Sequence, residues 1–449
     1  MANFRLQFND FRGGLAPGYF ESDFPVYGNM NMAGKASGID LTDPSYLKQG
    51  AGNSLLVTGT EEIRILDEPV EENKTYGVGA SAVYEITPTS VSAIHTITGA
   101  TFEDIAYYQG NVYASYNTSA SGAIAKFDGT TWTNAWQTTL NKDKPHKMLV
   151  GGLDFLYVAD GNKVASYDGI NDLFTPDDLT LPQDHTILTL GFTQKSLEIL
   201  TNTPSVSTGA RSSIFRWDTS ASSYEVETTF RERITNLFIH SGAMFVFYED
   251  AGKARLGYLD GSDIKPLVSF GTTSPLWYQV TVYKGFISWI NGEDILCWGA
   301  PESFLPPLMF PIMKAEDNYE YKTAATPFGY IIASSVYGSN YRVDKASGYS
   351  PSGYWKSLLI PINGVEKEGY IDDLRIGFAS LPAGKSFTVK LVNSKNVTKF
   401  EQEITGTGEV RYWKGLSLKS DDIRLEIHFD DTSGTVYIKD AVINGHTTN

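Results

Sequence analysis

Paired carboxylates and six histidines are the residues of this sequence best equipped to do chemistry. Adjacent acids stand at Glu61-Glu62, Asp177-Asp178, Asp372-Asp373, Asp421-Asp422 and Asp430-Asp431. Hydrolysis of a glycosidic bond needs two carboxyls about 5 to 9.5 Å apart, flanking the substrate. Neighbours on a strand point to opposite faces, so these pairs are expected to be surface and turn residues. The histidines, at 95, 146, 185, 240, 428 and 446, show no H-x-H or H-E-x-x-H spacing. Asp168 and Asp172 have the oxygen ligands calcium prefers, but no D-x-D-x-D-G run accompanies them. Neither a G-x-x-x-x-G-K-[ST] phosphate loop nor a G-x-S-x-G nucleophile turn is present. Cys297, the single cysteine, sits in the apolar strand DILCWGA, which predicts a buried inert thiol and excludes a disulfide framework. Asp128-Gly129-Thr130-Thr131-Trp132 approaches the S-x-D-x-G-x-T-W box of sialidases, but Gly follows Asp directly, so a turn with a packed Trp132 is expected. These residues predict no catalytic, cofactor-binding or metal-ligating set, and a protein that is not an enzyme.

The elements that would position such residues are strands, and they repeat. Phe127-Asp128-Gly129, Tyr167-Asp168-Gly169, Trp217-Asp218-Thr219, Leu259-Asp260-Gly261, Trp298-Gly299 and Val343-Asp344 each close a run of alternating apolar and polar residues. Steps of 40, 50, 42, 39 and 45 residues separate them, the period of a β-propeller blade. Blocks such as FEDIAYYQ, NVYASYN, GAIAKFDG and TTWTNAWQTT read as four short strands split by turns. The blade-turn residues Asp128, Gly129, Asp168, Gly169, Asp218, Asp260 and Gly261 then fall between third and fourth strands, where Gly supplies positive φ. Further hairpin tips are expected at Gln109-Gly110, Asp154, Ser241-Gly242 and Lys284-Gly285. Seven blocks are counted over 60–352. The last lacks an outer strand, which LLVTG at 55–59 is placed to supply.

The two ends differ from this array. Residues 1–59 are rich in Gly, Pro, Asn and aromatics and predict an extended N-terminal arm. Phe4, Phe8, Phe11, Tyr19, Phe20, Phe24 and Tyr27 need a surface to bury against. Phe11, Tyr19, Phe20, Phe24 and Tyr27 are the subunit-contact candidates, and packing across the chain's own propeller is the alternative. Residues 353–449 carry about eight longer strands and predict a β-sandwich of jelly-roll or immunoglobulin-like size, with SPSG at 350–353 as the linker. The fold class is therefore all-β.

Of the formal net charge of −16, residues 60–352 carry −14, from 20 basic and 34 acidic side chains. Such a surface repels phosphate and argues against tight nucleic-acid binding. No apolar run reaches the roughly 18 residues of a membrane span, and the N-terminus has no signal-peptide pattern.

The arm GGLAPGYFESDFP…GIDLTDPSYLKQGAG, followed by an acidic propeller and by YWKSLLIPI, DDLRIGFASLPAGKSFTVKLV and DIRLEIHFDD, resembles tail or connector proteins of tailed bacteriophages. LPAGKSFTVKLV at 381–392 is similar to a phrase frequent in phage virion sandwiches. The architecture is similar to that of tail nozzle and tail-hub proteins of short-tailed phages. The resemblance implies a ring-forming, non-enzymatic virion component made in the host cytoplasm. Its partners would be copies of itself and other virion tail proteins, with genome DNA passing without tight binding. Two alternatives stay open: a receptor- or glycan-binding surface protein using Trp132, Trp136 and Trp413, and a glycan hydrolase.

Overall fold

Runs such as Asn111–Asn117 and Lys163–Asp168 mix β-branched, aromatic and small residues between turn formers, and they form strands buried on both faces. The structure, a computed structural model, describes the whole chain except residues 1, 9–32, 38, 43–45, 72, 152–154, 194, 203–211, 301–306, 350–352, 358, 363–367, 380, 382–383, 407, 430–435 and 449.

Between residues 51 and 349 the described strands make seven four-stranded antiparallel blades, the sixth and seventh joined edge to edge by a parallel bridge between Met313 and Ala51. Blade 1 comprises Arg64–Ile65, Thr75–Val78, Ala82–Ile86 and Val91–Thr96, and blade 2 comprises Thr101–Tyr108, Asn111–Asn117, Gly122–Phe127 and Trp132–Leu140. Blade 3 runs from Met148–Gly151 to Leu173–Thr180, blade 4 from Thr186–Phe192 to Val226–Phe230, and blade 5 from Arg233–His240 to Asp263–Gly271. Blade 6 runs from Val280–Tyr283 to Leu308–Lys314. Blade 7 has Glu320–Ala325, Ile332–Tyr337 and Asn340–Tyr349, and takes its fourth strand, Ala51–Gly59, from near the N-terminus. This is a β-propeller, with each blade's first strand innermost. Middle strands are covered by the adjacent blades, whereas outer strands such as Val91–Thr96 are largely exposed.

Turn chemistry fixes the registers. Gln109-Gly110, Ser241-Gly242 and Lys284-Gly285 have positive φ at both positions and join their strands by two-residue loops. That geometry matches the right-handed twist of the flanking strands. Asp154 lies outside the described residues.

The expected strand at 55–59 is present and longer, pairing from Tyr341↔Gly59 to Tyr349↔Ala51. Side chains reinforce the closure. Thr323 Oγ1 donates to the Ile63 carbonyl at 2.6 Å, and the Asp67 carboxylate accepts from Thr281 Oγ1 and the Thr326 amide, both at 2.6 Å. Blade 1 is thereby fastened to blades 6 and 7. The same closure corrects the reading of Val343-Asp344 as a blade tip. Asp344 lies inside a strand, opposite Ala333 and Leu55, fully buried and bonded to Arg342 at 3.0 Å. Because the fourth strand comes from the other end of the chain, blade 7 has no turn after its third.

The remaining strands form two antiparallel sheets. One orders Ile39–Asp40, Leu47–Gln49, Tyr437–Thr448, Glu368–Phe378 and Val410–Ser420, with Ala2–Phe8 also on Tyr437–Thr448. The other orders Ala33–Ser37, Tyr354–Ser357, Asp422–Phe429, Ser386–Val392 and Thr398–Thr405, with Ile360–Pro361 beside Asp422–Phe429. The described parts of residues 1–59 are therefore strands of the chain's own sheets, and not an extended arm. Several are only two to five residues long and find their partners near the other end of the chain, so no local alternation reveals them. Phe8 is fully buried, edge-on to Trp355 at 5.8 Å. Phe11, Tyr19, Phe20, Phe24 and Tyr27 lie outside the described residues. Buried residues of both sheets, among them Phe8, Trp355, Phe387 and Ile443, belong to one apolar cluster with Phe286, Phe310, Met313 and Tyr321 of blades 6 and 7.

Proline is poorly tolerated inside a paired strand, and Val57 lies opposite Val343 in the closing ladder. Val57→Pro is expected to cost about 3 kcal/mol and to broaden the urea transition; a variant as stable as the parent would remove the closing role from this ladder.

Candidate functional site

The blade-tip acids are turn devices. Asp128 Oδ1 accepts the amides of Thr130 and Thr131 at 2.8 Å, and Asp218 Oδ1 those of Ser220 and Ala221 at 3.0 Å. Asp168 Oδ1 accepts from Ile170 and Asn171 at 2.9 and 3.2 Å. These bonds hold all three carboxyls below the usual carboxylate range, the Thr131 and Thr130 amides leading for Asp128, the Asn171 side chain for Asp168 and the Ser220 amide for Asp218. Asp260 closes a two-residue loop with Asp263. Gly129 and Gly261 have the expected positive φ, at 93° and 62°. Gly169 does not, and is needed for a different reason. Its amide donates to Tyr108 Oη at 3.0 Å, and a Cβ there would meet Gln109 Oε1 at 2.1 Å.

The other chemical candidates are separated. Glu61 accepts from Ser81 and from Tyr84 Oη at 2.6 Å, Asp178 from Ser166 at 2.6 Å, and Asp372 contacts His446 at 2.7 Å. Cys297 is buried beside Ser288, and burial pushes its thiol up to about 12. Trp132 stacks on His95 at 4.4 Å, Trp136 packs between Tyr113 and Tyr167, and Trp413 lies edge-on to Phe400. Asp430 and Asp431 lie outside the described residues.

The structure gathers chemistry elsewhere, on the propeller axis. In blades 2, 4, 5 and 7 the first strand carries a bulge at Glu103, Leu188, Thr235 and Lys322, seen as register shifts between Phe102/Asp104, Ile187/Thr189, Ile234/Asn236 and Tyr321/Thr323. A bulge re-aims the side chain that follows it. Those residues, Asp104, Thr189, Asn236 and Thr323, are all buried and polar. Asp104, Thr189 and Asn236 line an axial cavity of about 570 Å³, together with Arg64, Lys147, Trp277 and Tyr278.

One wall of this cavity is a network of cations and aromatic rings. Lys147 Nζ lies 3.6 Å from Asp104 Oδ2 and 3.5 Å from the centroid of Trp277. Arg64 stacks its guanidinium 4.6 Å from the Tyr278 centroid and donates to the Glu103 carbonyl at 2.5 Å. Asp104 Oδ2 also accepts the Met148 amide at 2.6 Å, which ties blade 2 to blade 3. Burial pushes Asp104 up and Lys147 down, and their mutual attraction opposes both shifts. The turn carrying Trp277 and Tyr278 is anchored by the bulged Thr235, whose hydroxyl donates to Ser274 Oγ at 2.7 Å. None of these residues stood out in the sequence. The available signal was a polar residue recurring within apolar first strands, as in FEDIAYY and ITNLFIH.

A second charged cluster lies on Asp422–Phe429. Glu426, 4% exposed, meets Arg424 at 2.9 Å, His428 at 2.9 Å and Lys356 at 3.1 Å. Burial alone would raise its carboxyl. The His428 and Lys356 bonds, with the charges of Lys356 and Arg424, reverse this and bring it from 4.5 to about 2.

No protein-family model matches the chain, and no curated protein matches it. Solved structures similar to it include Drosophila Semaphorin 1a, extracellular domains 1-2, with 9% identity over 66% of this chain and 88% of that chain and a TM-score of 0.44. YCF48 from Cyanidioschyzon merolae shares 10% identity over 67% of this chain and 99% of that chain, with a TM-score of 0.42. PorZ, a surface component of the type-IX secretion system of Porphyromonas gingivalis, shares 14% identity over 78% of this chain and 46% of that chain, with a TM-score of 0.42. Likenesses this distant carry no functional argument.

Breaking a buried ion pair leaves an uncompensated charge. Lys147→Met is expected to cost about 3 kcal/mol in urea melts, and Asp104→Asn/Lys147→Met to recover most of it; equal losses would deny the pairing. A depressed carboxyl contributes stability above its unfolded pKa and loses it as pH falls through the folded value. The Glu426 contribution is thus full above pH 4.5 and lost toward about 2. Between about pH 5 and about pH 3, Glu426→Gln is expected to lose less stability than the parent; identical pH profiles would contradict this.

Proposed function

We propose that the protein is a structural component of a bacteriophage tail, acting as a nozzle, hub or connector ring through subunit assembly and not catalysis. The observation that carries this reading is the continuous apolar core joining blades 6 and 7 to the two C-terminal sheets, which we read as a sandwich. A receptor module on a flexible tether has no use for such a core. A part that must hold its shape under load does, and the strands from the N-terminal end fasten the same junction. Ser37 Oγ adds a 2.5 Å bond to Asp294 of blade 6 across it.

Charge supports the same role. The −14 carried by residues 60–352 gives the propeller a surface that repels phosphate, suited to a part beside moving DNA. A closed ring of identical copies requires one surface of each subunit to contact a different surface of the next. Residues 1–59 and 353–449, each at −1, are free of this repulsion and are the natural contact regions.

Mass photometry and negative-stain imaging of the purified full-length protein are expected to show rings of fixed subunit number. The protein is expected as a stoichiometric band in purified tailed particles. A protein that stays monomeric at micromolar concentration and is absent from particles would overturn the reading.

A further inference from the structure

Three donor groups border the axial cavity. Lys147 is held against Trp277, and Arg64 against Tyr278. A cation steadied by an aromatic face keeps N–H groups that a full set of carboxylates would otherwise consume. Asp104 takes one such contact from Lys147 at 3.6 Å, while Glu103 stands 4.0 Å from Arg64. The third donor is Asn236, 1% exposed, whose Nδ2 has no hydrogen-bond partner among the described residues. A buried amide nitrogen in that state costs about 1–3 kcal/mol unless something accepts its hydrogens. The strand bearing Asn236 packs against the Trp277–Gln279 turn, which places the three donors around one space. Ile105, Leu190, Leu237 and Phe238 give the wall an apolar part, and Asp67, Glu68, Asp104 and Thr189 also line it.

We propose that this cavity binds a small organic oxyanion, its carboxylate or phosphate oxygens meeting Arg64, Lys147 and Asn236 and its body lying on the apolar wall. The volume of about 570 Å³ suits a ligand of that size. Asp67 and Glu68 line the same cavity and restrict the ligand to a few charges at one end, which excludes a nucleic-acid chain. Asp67 itself is engaged by Thr281 and Thr326. The site stands or falls independently of the tail assignment.

Calorimetric titration of the full-length protein at constant ionic strength tests it, with inorganic phosphate, benzoate and glucose as probes. Saturable one-site binding of phosphate or benzoate is expected, and which of the two binds more tightly identifies the head group. Binding is expected to be about tenfold weaker in both Arg64→Gln and Asn236→Leu, which keep the Asp104–Lys147 pair. The accompanying change in tryptophan emission is expected to vanish in Trp277→Phe. Absence of saturation with both anions, unchanged affinity in both variants, or binding of glucose alone would overturn the proposal.

Discussion

The structure depends on one ladder, in which Ala51–Gly59 lies antiparallel to Asn340–Tyr349. Blades 1 to 5 pair each strand only with its neighbour in sequence and are built from local hairpins; blade 6 adds one parallel bridge, Met313↔Ala51, to the same closing strand. Blade 7 alone joins the two ends of the array. That contact carries the loop-closure entropy of the whole ring and makes the blades mutually dependent. Ile63, Ile86, Ile332 and Val343 cluster at this junction, so the ladder is also where blade 1 meets blade 7.

Closure has a structural consequence at each end of the chain. The strand that completes the ring must be approached from outside it, and the preceding residues run along the C-terminal sheets. Ala33–Ser37 lies on Tyr354–Ser357, and Leu47–Gln49 on Tyr437–Thr448. The N-terminal segment thus stitches the propeller to the C-terminal sheets, and the apolar cluster from Phe8 to Phe310 fills the junction. At the axis, closure packs seven first strands around a narrow space. Bulges in blades 2, 4 and 5 turn Asp104, Thr189 and Asn236 toward it, in positions a regular strand would not reach. Stability and the candidate site therefore share an origin.

The blades were legible because propeller strands are short, local and punctuated. Phe127-Asp128-Gly129 announces its own turn, since an Asp side chain can cap the next amides wherever it sits. Val343-Asp344 matched the same spacing for another reason: an apolar-acid pair in mid-strand looks identical until the partner strand is known. The strands before residue 50 were illegible because elements of two to five residues have no period, and Ala33–Ser37 and Leu47–Gln49 find partners far along the chain. The axial site was hidden similarly. Arg64, Lys147, Asn236 and Trp277 are scattered over four blades, and each is unremarkable where it stands. Gly169 shows the limit of residue rules: glycine was expected there, but for its φ and not for the approach of Tyr108.

Native-state hydrogen exchange measured by segment tests most directly whether the N-terminal strands fasten propeller and C-terminal sheets into one body. Amides of Ala51–Gly59, Asn340–Tyr349 and Tyr437–Thr448 are expected to exchange as slowly as those of the interior strand Asn111–Asn117, all through one global opening. Fast exchange of Ala51–Gly59 while the blade interiors stay protected would contradict it.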